Sequence, residues 1–536
     1  MKEIKIYLIL ILFYCNNLTA QIHDNPYAAK ANPDEKETFT NPVIPGFYSD
    51  PSVCRVGDDY YLITSTFEYY PGVPIFHSKD LVNWEQIGHC IHREDQLPDG
   101  IDIFAATLRY NKGTFYMITT HFDFLEKSKK SGNFYVTATN PAGPWSDPIW
   151  LDDVLGIDPD LFFDDDGKSY VISSPFILYE IDLETGKLLT EGKKIYHGAG
   201  GRYAEGPHIY KKDGYYYLLA AEGGTEEAHH VTIARSNTID GPYIVNPANP
   251  ILAHANAAGQ SSLIQGVGHA DIIQAHDDSW WMVFHGYRKS AQYMVHHILG
   301  RETCLAPVSW PKNGWPVVNG NGTITEKMTC PTLPLKPFPQ KPTREDFDNE
   351  LGLDWNVIQT LKKDDSFYAL KDGALHLSGM ASETGFQNQT AFVGQRLRHM
   401  HFEANTNMEF NPKNENEHAG MALHYGGNYF NLFVKQKGND RIVFAELNFG
   451  SICYKSKEFI LKPGPVDLRI EGKGNTFSFA YAQGGEFTHI ESVDSRYMSS
   501  ETLGWFTGVY VGLFATGKGK QNKAVASYDY FEYKEK

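Results

Sequence analysis

Cysteine is scarce and scattered. The 536 residues hold six, at positions 15, 54, 90, 304, 330 and 453, with no Cys-x-x-Cys pair. That pattern excludes a dense disulfide framework and a zinc site of paired cysteines, and leaves small buried hydrophobes as the better reading. Positive charge is also short, with 48 Lys and Arg against 65 Asp and Glu and a net charge of −17. Nucleic acids and acidic membranes recruit basic patches, so neither is an expected partner. Beyond the first twenty residues no apolar run is long enough to span a bilayer. Residues 6–14 are apolar, follow Lys2 and Lys5, and precede Leu18-Thr19-Ala20. This is the layout of an export signal over 1–20, cut before Gln21. Phe13 and Tyr14 are too bulky for the small-residue pattern before a lipidated Cys15, so no lipid anchor is expected. The expected location is outside the cytoplasm, in the periplasm of a Gram-negative cell and secreted otherwise.

Aromatic residues are plentiful at 14%, with 32 Tyr and 32 Phe. They suit β-rich structure and sugar-facing surfaces, though aromatics also fill cores. Many of them mark a recurring hairpin. Residues 50–66 open on Asp50-Pro51, run through a strand, turn at Gly57-Asp58-Asp59 and leave through Tyr60-Tyr61. The form returns at 106–120, 158–173, 205–220 and 269–284, where the second strands are led by Phe115-Tyr116, Ser169-Tyr170, Tyr215-Tyr216-Tyr217 and Trp280-Trp281. A period of about 50 residues with one hairpin per unit signals a radial repeat, and five copies predict five blades. The expected order is a polar lead-in over 21–40, a five-bladed β-propeller over 41–330 and a Pro-rich bridge over 331–342. From 343 to 536 the texture changes to short alternating strands with Gly-rich turns, which predict an antiparallel β-sandwich. The fold class is all-β.

Aligned on the aromatic pairs, the blades begin at Asp50, the Phe104-Ala105 pair, Asp158, Glu205 and His269. Inner strands of a propeller start near its axis, so these positions should converge on one mouth. Several acids gathered there repel one another and cost stability unless they serve a purpose. The alternative for each is a solvated strand end. Asp160 and the run 164–166 read as packing and turn residues, and Glu222, beyond its blade's second strand, as a supporting acid.

Gly46-Phe47-Tyr48-Ser49-Asp50-Pro51-Ser52, Ser65-Thr66-Phe67-Glu68-Tyr69-Tyr70-Pro71-Gly72-Val73, Ala204-Glu205-Gly206-Pro207-His208, Ala221-Glu222-Gly223-Gly224-Thr225 and Leu299-Gly300-Arg301-Glu302-Thr303 resemble glycoside hydrolase family 43. The layout is similar to its β-xylosidase and α-L-arabinofuranosidase branch, in which the second domain is concanavalin A-like. The resemblance implies hydrolysis with inversion, with Asp50 as general base, Glu205 as general acid and Asp158 as the carboxylate that tunes and orients the acid. An inverting pair stands about 6.5–9.5 Å apart to admit a water, and a third carboxylate nearby raises the acid's pKa.

By the same resemblance Arg301 reaches the sugar hydroxyls and the acids, unless it braces two blades. Phe67 and Phe104 wall the non-reducing-end pocket, unless they are core. Phe506 brings the sandwich to the pocket and favours exo action. His269 lies near the centre, beside a structural calcium in some members. One imidazole without an oxygen cluster gives calcium little support, and no metal or cofactor is required for acid–base hydrolysis.

The branch often carries Trp-Ala-Pro-Asp at the second blade, where this chain has Phe104-Ala105-Ala106-Thr107. A smaller ring and a lost acid leave room for a terminal α-L-arabinofuranosyl group from arabinoxylan or xyloglucan side chains. β-D-Xylosidase or dual activity is the alternative, and a non-catalytic carbohydrate-binding propeller the remote one. The expected partner is an oligo- or polysaccharide.

Overall fold

The computed structural model describes residues 38–536 except 94, 98–99, 123–129, 257, 291–295, 330–331, 360–366, 383–389 and 521–523. The export signal, Cys15, Cys330 and most of the lead-in lie outside the described residues. Cys54, Cys90 and Cys304 are buried and free, and Cys453 is exposed and free.

Five antiparallel sheets form the propeller, each beginning with its innermost strand: Ser52–Val56, Ile103–Asn111, Ile157–Phe163, Glu205–Lys212 and Ile264–Gln274. Each inner strand touches the next, and the first touches the last, which closes a ring. The bulky pairs predicted from sequence fasten the blades together. Tyr61 meets Phe115 edge-on at 5.1 Å, Tyr116 meets Phe163 at 5.5 Å, Phe162 meets Tyr216 at 6.0 Å and Tyr217 meets Trp310 at 5.1 Å. Such pairs add about 0.5–1.5 kcal/mol each beyond the area they bury.

Hydrogen bonds between the first and last strands close the ring. Thr38–Thr40 pairs with Lys327–Thr329, so strand structure begins just ahead of Asn41. Asn41 then exchanges two hydrogen bonds with the Leu305 backbone, at 3.0 and 2.9 Å. The amides of Val43 and Tyr48 donate to the carbonyls of Thr303 and Arg301.

The second domain is a sandwich of an eight-stranded and a nine-stranded sheet. Its larger sheet is completed by the propeller: Tyr69–Tyr70, an excursion inside the first blade, pairs with Asn356–Ile358 at the sheet's edge. Tyr69 stacks on Tyr510 with ring centroids 3.7 Å apart. The described part of the Pro-rich bridge lies on the first blade, where Leu333 is buried and the Lys336 amide donates to Asp80 at 2.5 Å. Helix among the described residues is confined to Ser495–Met498 and Ser500–Leu503. This short turn of chain places Glu501 against His297 of the propeller, 2.7 Å from its Nδ1. No helix among the described residues is long and apolar enough to cross a membrane.

Candidate active site

Backbone geometry at the blade starts sets the site. Asp50, Asp158 and His269 all adopt left-handed conformation, with φ of 54°, 52° and 47°. Strained positions of this kind cost about 1–3 kcal/mol each and concentrate where side chains must be aimed. Each is followed by Pro51, Pro159 or Ala270 and then by a buried polar residue, Ser52, Asp160 or Asp271. In the fourth blade the left-handed residue is Gly206, with φ of 57°, ahead of Pro207 and His208.

Glu205 therefore stands one residue before the position of Asp50, Asp158 and His269. This corrects the alignment on aromatic pairs, which put all four at one repeat position. Turns of unequal length separate those anchors from the blade starts, whereas the Asp-Pro, Asp-Pro, Gly-Pro steps mark the true register. The strand ladder slips here in four blades, between Ile103 and Ala106, Ile157 and Asp160, Glu205 and His208, and Gly268 and Asp271. Such bulges re-aim side chains at a rim. A Cβ on Gly206 would stand 3.0 Å from His269 Nε2, so the glycine also leaves space for that ring.

The floor is a charge network that sequence reasoning missed. Arg109 donates to Asp271 at 2.7 Å and to Asp160 at 2.9 Å, and Ser52 and Tyr210 donate to Asp271 at 2.8 and 2.6 Å. All five blades are tied at the axis. The signal was an arginine inside an apolar inner strand.

Above the floor, all eight residues singled out in the sequence line one cavity of about 330 Å³: Asp50, Asp158, Glu205, His269, Arg301, Phe67, Phe104 and Phe506. Phe104 and Ala105 line it where the first, third and fifth blades place Asp50, Asp158 and His269. Arg301 Nη1 donates to Asp50 Oδ1 at 2.8 Å, Ser49 donates to Oδ2 at 2.9 Å, and Ser65 donates to the same oxygen. Burial alone would raise the Asp50 carboxyl, but Arg301, His269 and His285 together hold it well below its usual value. Burial and the neighbouring Asp158 charge instead push Glu205 up to about 7, with His269 opposing. The Asp158 Oδ2 accepts from the Gly206 amide at 3.2 Å.

Arg301 makes two contacts. It reaches Asp50, and its Nε donates to the Phe506 carbonyl at 3.2 Å, bracing the propeller against the sandwich. Phe67 is buried and packs on Phe104 at 4.9 Å and on Phe506 at 6.0 Å, so it backs a wall whose more open rings are Phe104 and Phe506. Glu222 is fully buried and accepts from the amides of Ala199 and Gly201 and from Thr232, which commits it to shaping the segment ahead of Glu205.

The surroundings of His269 do not fit calcium. Despite burial, the charges of Asp50 and Asp158 raise its pKa to about 9, so the ring is a cation at neutral pH. Calcium needs six or more oxygen ligands, and among the described residues no group of three or more His, Cys, Asp or Glu side chains could hold a metal.

Glu68, beside the wall, is also buried, and its Oε1 accepts from Trp505 Nε1 at 3.3 Å. Burial raises its pKa to about 7, against an ordinary 4.5. The folded state holds this proton more tightly, so its contribution is full below about 4.5 and is lost as pH rises through about 7. That range is worth on the order of 3 kcal/mol. Glu68→Gln should therefore gain stability relative to the parent at pH 8 compared with pH 5. Equal differences in melting temperature at the two pH values would show that Glu68 is not perturbed.

Two carboxyl groups in one cleft, one held ionised and one held protonated near neutrality, are the equipment of an acid–base hydrolase. Comparisons with known proteins agree. The family model "Glycosyl hydrolases family 43" matches residues 39–316, and "Beta xylosidase C-terminal Concanavalin A-like domain" matches 344–534. A non-reducing end α-L-arabinofuranosidase of Bacteroides ovatus is 39% identical over 514 residues, 93% of this chain and 95% of the relative. A β-xylosidase of Bacillus subtilis is 34% identical over 540 residues, covering 93% and 100%. The solved Bacteroides ovatus xyloglucan PUL GH43B structure superposes with a TM-score of 0.88 at 38% identity, covering 93% of this chain and 100% of the other. The chain belongs to glycoside hydrolase family 43, and it is a glycosidase.

Proposed function

We propose that the protein is an exported, inverting exo-glycosidase that releases terminal non-reducing α-L-arabinofuranosyl groups from hemicellulose side chains such as those of arabinoxylan or xyloglucan. The opposed proton affinities of Asp50 and Glu205 carry this reading. Asp50, kept ionised by Arg301, takes a proton from the attacking water. Glu205, kept protonated beside Asp158, gives its proton to the leaving oxygen. His269 balances the three carboxylates. The wall of Phe104 and Phe506 closes one side of the pocket, which suits a chain end. Export rests on the layout of residues 1–20.

The arabinofuranosyl preference rests on the small Phe104-Ala105-Ala106 wall and on the Bacteroides ovatus relative. β-Xylosidase activity is the second reading, favoured by the relatives of that name. Initial rates on 4-nitrophenyl α-L-arabinofuranoside and 4-nitrophenyl β-D-xylopyranoside test it, with Asp50→Asn as the control. A rate at least tenfold higher on the arabinoside is expected. A faster xyloside reverses the preference, and no activity above the control on either overturns the enzymatic reading of this pocket.

A further inference from the structure

Tyr203 stands unusually far out of the protein for an aromatic ring. At 71% exposure it is the most open large hydrophobic side chain among the described residues. Of the exposed ones, it alone lines the active-site cavity. Single exposed apolar groups are common on surfaces, so exposure by itself means little. The backbone supplies a second observation. Tyr203 takes a left-handed conformation, with φ of 51°, an outlier for a bulky residue. That conformation is held from both sides. The Arg202 carbonyl accepts from the Gly223 amide at 2.8 Å, and Arg202 Nε donates to the Gly223 carbonyl at 2.8 Å. The Arg202 guanidinium also pairs with Glu226 and lies 5.5 Å from the Tyr203 ring. On the other side, Ser174 Oγ donates to the Ala204 carbonyl at 2.9 Å. An aromatic face is thus presented to solvent on a fastened backbone, two residues ahead of Glu205.

We propose that Tyr203 is the platform on which the leaving sugar stacks, and so determines which chains the enzyme will trim. This rests on Glu205 as the acid. In an inverting site the water stands on one face of the reacting sugar and the acid beside the leaving oxygen. The leaving group therefore extends past Glu205, where Tyr203 and, of the same blade, Thr225 and Glu226 line the cavity. A pyranose ring has a face of C–H groups that packs on an aromatic face, and hydroxyls at its edge that Thr225 and Glu226 can bond. The charges of Arg202 and Glu226 cancel, so the subsite suits a neutral sugar, such as a xylose or glucose unit of a hemicellulose backbone, over a uronic acid. A ring fixed in advance loses little freedom when the sugar arrives.

The test sets a leaving sugar against a leaving group too small to stack. Arabinofuranosyl-xylotriose is compared with methyl α-L-arabinofuranoside. Tyr203→Ala should lower kcat/KM on the first roughly 3- to 10-fold, mainly through KM, and on the second by less than about 1.5-fold. Tyr203→Phe, which keeps the aromatic face, should stay within about 1.5-fold of the parent on both. Equal losses on the two substrates, no loss on either, or a Phe variant as impaired as the Ala variant would overturn the role of Tyr203. Xylobiose and methyl β-D-xylopyranoside, run alongside, separate this role from the choice of released sugar. A selective loss on xylobiose in an enzyme that leaves the arabinosides intact would reverse the arabinofuranosyl preference and keep Tyr203 as the platform. A parent active on none of the four would overturn the enzymatic reading and this inference together.

Discussion

Asp50→Asn is expected to lower kcat about 10³- to 10⁴-fold on activated and natural leaving groups alike, because water must be deprotonated whichever group departs. Asparagine keeps the shape and an oxygen for Arg301 Nη1, but it cannot accept a proton. The same substitution removes the charge that holds Arg301 and His269, so some loss of thermal stability should accompany it. Initial rates on a dinitrophenyl and a methylphenyl arabinofuranoside, with a melting curve, check the prediction. A variant that kept a tenth of parental kcat would show that Asp50 only organises the pocket.

Glu205→Gln should behave differently. Its cost should rise with the pKa of the leaving group, from slight with dinitrophenol to about 10³-fold or more with an alkyl or sugar alcohol. The pH profile should change as well. Glu205 must be protonated to act, and burial with Asp158 nearby raises its pKa to about 7. Parental kcat/KM on poor leaving groups should therefore fall as pH rises through about 7. Asp50 is held well below the ordinary carboxylate range by Arg301 and its neighbours despite burial, so activity should persist far into acid. In Glu205→Gln the fall near 7 should vanish. An alkaline limb that survives the substitution would belong to another group.

Much of this architecture could be read from the chain because the repeat carries it twice, in hairpin turns and in aromatic pairs. Tyr61, Phe115 and Tyr116 belong to the bulky pairs that mark the repeat, and in the packed blades Tyr61 meets Phe115 and Tyr116 meets Phe163. Asp50, Phe104, Asp158, Glu205 and His269 converge because a propeller brings its blade starts together, whereas Phe67, Arg301 and Phe506 reach the same cavity from elsewhere in the chain. The one-residue offset of Glu205 was not seen because bulges break strand counting where the strands near the axis. Arg109, His229 and His285 were missed for another reason. Arg109 and His285 are polar residues within apolar strands, and His229, whose Nε2 lies 3.7 Å from Glu205 Oε1, stands just ahead of one. Such residues look alike whether they fill a core or join a network, and only contacts across blades tell them apart. Contacts such as Tyr69–Tyr70 with Asn356–Ile358 link residues nearly 300 positions apart, beyond any local pattern.

That borrowed strand, with the hydrogen-bonded closure of the ring, also sets an order of events during synthesis. The first blade holds Asp50, yet Arg301 and His285, which fix its charge, are made some 235 to 250 residues later. Tyr69–Tyr70 must wait for residue 358 to find its sheet, and the wall lacks Phe506 until the last strands emerge. Long loops must close before these contacts repay the cost, which makes the assembly slow. A chain that ends after Glu205 holds both carboxyls but neither Arg301, which holds Asp50 ionised, nor Phe506, which completes the wall, so the site is finished only by the second half of the chain.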